Sequence, residues 1–107
     1  MPDRKIFSYE DAIALLPEVQ RLTHTAVETL ESLVSGQGDT PIEAEIEFER
    51  IVDGWARSIM ALGIDVKGLW LIDFDNGSGY YCWKYPETSL QYFHGYEEGF
   101  SGRVKLN

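Results

Sequence analysis

The sequence predicts an α+β fold: two long antiparallel helices, a helical hairpin, packed on a three-stranded antiparallel β-meander. Three observations predict it. Apolar residues recur at spacings of three and four through the first half of the chain. After Gly63 the period changes to alternation. An Asn-Gly pair then separates two segments rich in aromatic residues.

The first helix starts at Ser8, whose hydroxyl suits an N-cap, with Asp11 three residues on as a weaker capping-box partner. Phe7 precedes the cap, where a hydrophobic staple places it. Pro17 breaks the backbone hydrogen-bond ladder. The apolar face of Ala12, Leu15, Leu16, Val19, Leu22, Ala26, Leu30 and Leu33 nevertheless continues across it. The reading is one helix kinked at Pro17. Gly36-Gln37-Gly38-Asp39 ends it, and Thr40-Pro41-Ile42-Glu43 restarts a helix with a cap, an N1 proline and a capping-box glutamate. This second helix runs to Leu62, with Gly63 as its stop. Its stripe is Phe48, Val52, Trp55, Ile59 and Leu62, with Ile51 beside it.

The three strands are Leu69 to Phe74, Tyr80 to Tyr85 and Leu90 to His94. Asp75 to Gly79 and Pro86 to Ser89 are the turns between them. A meander this short needs a covering layer, and the hairpin supplies it. The whole is one domain of 107 residues: 8–62 helical hairpin, 69–94 meander, 95–107 C-terminal tail.

Phe7-Ser8-Tyr9-Glu10-Asp11-Ala12 followed by Leu15-Leu16-Pro17 resembles the N-terminal signature of an uncharacterised prokaryotic family, domain of unknown function 2203. The resemblance resumes at Ile72-Asp73-Phe74, Cys82-Trp83, Glu87, Phe93-His94 and Gly99-Phe100-Ser101-Gly102-Arg103. The family's pattern there is similar to Gly-Leu-Val-Asp-Phe, Leu-Cys-Trp, Gly-Glu, Trp-His and Gly-Phe-x-Gly-Arg. This chain departs from it in having Trp70 and Pro86 where the pattern has glycine, and Phe93 where it has tryptophan. The resemblance implies a fold outline and a residue shortlist, but no activity.

That shortlist is Asp73, Cys82, Glu87, His94 and Arg103. A thiol, an imidazole and carboxylates are ligands for zinc or iron, which makes Asp73, Cys82, Glu87 and His94 a candidate metal set. Each also has a purely structural role open to it. Cys82 suits a small buried hydrophobe, Asp73 a cap on the Asn76-Gly77 turn, Glu87 and Arg103 one ion pair pinning the tail, and His94 a hydrogen-bonded core residue. The tail with Arg103 is also a candidate anion binder. A Cys82 nucleophile activated by His94 fits poorly, because a mid-strand thiol lacks the exposed, thiolate-favouring surroundings such chemistry needs. On the second helix Glu43, Glu45, Glu47 and Glu49 spread around the axis, which reads as a solvated face. The Glu-x-x-His pattern of a di-iron bundle is missing at His24.

The formal net charge of −9 argues against a nucleic-acid backbone or an anionic membrane surface as partner. One cysteine excludes an internal disulfide and fits a reducing compartment, and no secretory signal or membrane span is expected, so a cytoplasmic protein is expected. Two functional readings follow. The first is a non-catalytic interaction module acting as a homodimer through the helices, since Val27, Val34 and Ile51 lie outside the main stripes. The second is a mononuclear metal or small-ligand site in the meander, with an enzyme left open. Surplus aromatic residues in the strands add a possible partner surface.

Overall fold

A computed structural model describes residues 5–35 and 40–106. Two helices pack on an antiparallel sheet, as the periodicity requires. The expected break at residues 36–39 lies outside the described residues. Helix α1, Tyr9–Ser35, is capped by Ser8, whose Oγ accepts from the Asp11 N–H at 3.0 Å. It runs on through Pro17. Proline leaves the Ile13 carbonyl without its helical partner, and both Ile13 and Pro17 are exposed, so that deficit faces water.

Helix α2, Pro41–Ala61, begins with the full capping box: the Glu43 N–H donates to Thr40 Oγ1 at 3.1 Å, and the Thr40 N–H donates to Glu43 Oε1 at 3.0 Å. Its buried residues are Trp55 and Ile59, both in the C-terminal half. Phe48, expected in the apolar stripe, is 42% exposed. The helices meet through a bond the apolar pattern does not show: Trp55 Nε1–H donates to Thr23 Oγ1 at 2.8 Å, inside the core. Gly63, at φ 85°, stops α2.

The sheet has five strands, not the three the alternation predicts: β1 Asp65–Gly68, β2 Leu71–Asp75, β3 Tyr80–Lys84, β4 Tyr92–His94 and β5 Val104–Lys105. They lie in the order β1-β2-β3-β4-β5, each antiparallel to the next. The two extra strands leave no pattern in the sequence, for physical reasons. The first is four residues of Asp-Val-Lys-Gly, which offer one apolar side chain and no alternation; the second is two residues, recruited from the tail by pairing with β4. The β2–β3 turn, Asn76 to Gly79, lies within the expected Asp75 to Gly79. Asp75 pairs with Tyr80, and Asn76 Oδ1 accepts the Ser78 and Gly79 N–H groups. Of the Asn-Gly pair only Gly77 has a positive φ.

Register decides which side chains share a face. Ile72 pairs with Trp83, and both lie in the core with Phe74, Phe7, Leu16, Val19, Trp55, Ile59 and Leu90. The alternate positions therefore point away from the helices. There Asp73 pairs with Cys82, Cys82 with Tyr92, and Tyr80 with His94.

Trp70, in the bend between β1 and β2, sits at φ 61°. That is the left-handed region, costly for any residue with a Cβ. The ring stands edge-on to Trp55, centroids 4.9 Å apart.

Candidate metal centre

The face of the sheet remote from the helices carries buried polar groups, which is unusual for a small domain. Asp73, Cys82 and His94 are all buried there. Neighbouring register pairs on three adjacent strands bring them together. Gly79 permits the approach: a Cβ at that position would stand 2.6 Å from Phe93 Cζ and 2.7 Å from the His94 carbonyl oxygen. One ligand-type atom from each of Asp73, Cys82 and His94 lies within 4.8 Å of the others.

His94 is held at both ring nitrogens. Its Nδ1 lies 2.9 Å from the Gly95 carbonyl oxygen. A carbonyl only accepts, so Nδ1 carries the proton. Its Nε2 lies 2.9 Å from Asp73 Oδ2. That contact holds one proton, carried either by the imidazole or by the carboxyl group. Burial pushes the Asp73 carboxyl above the usual carboxylate range, opposed by the neighbouring His94 ring and by hydrogen bonding from the Cys82 thiol. Asp73 Oδ1 is buried with no N–H or O–H donor. Burial, reinforced by the negative charge of Asp73, pushes the Cys82 thiol up to about 12. A resting thiolate nucleophile is therefore excluded at neutral pH.

Glu87 stands apart from this cluster. Its carboxylate takes Arg103 Nη1 at 2.8 and 3.1 Å and the Lys84 N–H at 2.8 Å. The Arg103 guanidinium lies 3.9 Å from the Tyr92 ring centroid and 4.1 Å from that of Phe100, and Nη1 is 3.9 Å from Cys82 Sγ. Glu87 and Arg103 thus form the ion pair that ties the tail to the sheet. The turn-capping role considered for Asp73 belongs to Asp75, whose Oδ1 accepts the Gly77 N–H at 2.9 Å and the Tyr96 hydroxyl at 2.6 Å.

Between the tail and the sheet lies a cavity of about 440 Å³. Asp73, Cys82 and His94 line it, with Lys67, Tyr96, Glu97, Glu98 and Phe100 around them. Lys67 and Tyr96 had no signal in the sequence. Lys67 sits on a strand too short to read, and Tyr96 acts through a loop.

Residues 5–106 match the family model described as Uncharacterized conserved protein (DUF2203), and the chain belongs to that family. No curated protein and no solved structure matches it.

Proposed function

We propose that this member of an uncharacterised family is a metal-binding module, with Asp73, Cys82 and His94 as the ligands of a single divalent ion. The observation that carries the reading is a buried carboxylate, thiol and imidazole with ligand atoms within 4.8 Å of one another, in which Asp73 Oδ1 has no N–H or O–H donor and only the weak Cys82 thiol beside it. A buried acceptor left unsatisfied costs about 1–3 kcal/mol, and a cation would remove what the weak thiol leaves of that cost. The ion would also replace the proton between Asp73 and His94 and the proton of the Cys82 thiol. The Gly95 carbonyl on Nδ1 orients the ring and leaves Nε2 as donor atom, the usual support for a metal-bound histidine. A thiolate, an imidazole and a carboxylate favour zinc or ferrous iron over magnesium or calcium. Glu87 is left out of the set because Arg103 engages it.

The test is native mass spectrometry and elemental analysis of protein purified without chelator and then offered zinc. One ion per chain is expected. Cys82→Ala and His94→Ala should lose it while keeping the far-ultraviolet circular dichroism of the parent. A parent chain that stays metal-free in excess zinc would refute the reading.

A second reading is favoured by the apolar residues exposed on the helices. Val34 is 83%, Ile42 71% and Ile46 60% exposed. We infer a homodimer through the helices, which would cover them. Light scattering at micromolar concentration should return twice the chain mass, and a monomer mass would remove this reading.

A further inference from the structure

The proposed ligand set is incomplete for a closed site. Structural zinc is held by four protein ligands, whereas three protein ligands leave a position for an exogenous group. Among the described residues no fourth histidine, cysteine or carboxylate joins the cluster. The cavity beside the three ligands gives an incoming molecule room.

Charge then narrows the class of molecule. A carboxylate and a thiolate balance a divalent ion, and the imidazole is neutral. An anion in the fourth position makes the centre net negative, which a buried site tolerates only with a nearby cation. Arg103, 3.9 Å from Cys82 Sγ, is already neutralised by Glu87, and Lys67 is the cation that lines the cavity. Its Nζ lies 4.4 Å from the Tyr80 ring centroid. The Tyr80 ring in turn packs 5.3 Å from the His94 ring. Lys67 Nζ donates to the Tyr80 hydroxyl at 3.4 Å and lies 3.9 Å from half-buried Asp65, two long contacts that leave the ammonium able to turn inward. The acidic residues on the tail side limit the charge of what enters. Glu98 accepts the Gly95 N–H at 2.8 Å and is committed to the loop, and Glu97 is exposed at the mouth. Polyanions such as phosphate esters meet more repulsion there than a monoanion with an uncharged remainder.

We propose that the open metal position takes a small monocarboxylate, with Lys67 as its charge partner. This inference rests on the metal reading above.

Cobalt(II) is the probe, because its visible spectrum reports thiolate ligation and coordination change. The parent protein and Lys67→Met are loaded with cobalt and titrated with acetate at constant ionic strength. The expected result is a saturable change in the cobalt bands of the parent. In Lys67→Met, cobalt affinity should stay the same and acetate affinity should fall by about two- to fivefold, as loss of one partly exposed charge contact implies. Absence of a cobalt–thiolate spectrum would overturn the metal reading itself. Cobalt bound with thiolate but insensitive to acetate would overturn this inference and leave the metal site standing. An acetate response equal in both proteins would remove Lys67 from the role.

Discussion

Cys82 offers the sharpest test of the electrostatics of this sheet face. In the folded protein its thiol is pushed from 9.0 up to about 12. The folded state therefore holds the thiol proton more tightly than the unfolded chain. The resulting stability is fully present below pH 9 and is lost as the pH rises toward 12. At 1.36 kcal/mol per unit of pKa, the complete loss is roughly 4 kcal/mol, and about 2 kcal/mol has gone by pH 10.5. Cys82→Ala removes the effect. It also deletes a fully buried sulfur, at a cost of about 1 kcal/mol near neutrality. Urea denaturation of metal-free protein in chelator, followed by tryptophan fluorescence from pH 7 to 10.5, gives both curves. Tyrosine and lysine titrations are common to the two proteins and cancel in the difference. The variant should be the less stable at pH 7, and the curves should converge and cross before pH 10.5. Two parallel curves would refute the reasoning, since they would mean that burial and Asp73 do not hold the thiol protonated.

Trp70 trades backbone strain for a ring contact. Trp70→Ala should cost about 3 kcal/mol, and Trp70→Gly about 0.5–1 kcal/mol less, because glycine accepts φ 61° freely; thermal melts that rank alanine at or above glycine would contradict this. Arg103 has a side chain only 12% exposed, bound to Glu87 and stacked between two rings. Arg103→Met should cost roughly 2–3 kcal/mol and speed amide exchange at Leu106, whose N–H donates to the Gln91 carbonyl. Thr23→Val leaves Trp55 Nε1–H buried without an acceptor, for a loss of about 1–3 kcal/mol in urea, which Thr23→Ser should largely spare.

What the chain determines by itself is local. The Thr40-Pro41-Ile42-Glu43 box, the Ser8 cap and the stop at Gly63 depend on residues a few positions apart, and the helices form where those signals place them. The alternation from Leu71 to Lys84 likewise shows on its own. The shortlist that holds Asp73, Cys82 and His94 comes from the resemblance to the family's motifs, where polar and reactive groups sit within an aromatic run. Tertiary structure decided the rest. A one-residue slip would have turned Asp73 and Cys82 into the core, so their meeting depends on the register of β2 and β3. Glu87 left the metal set because the chain returns 16 residues later to present Arg103. The strands β1 and β5 exist by pairing, since segments of four and two residues have no period to read. Side chains recurring along one element leave a trace in the sequence. Contacts between distant strands, and the cavity they enclose under the tail, arise only when the sheet closes.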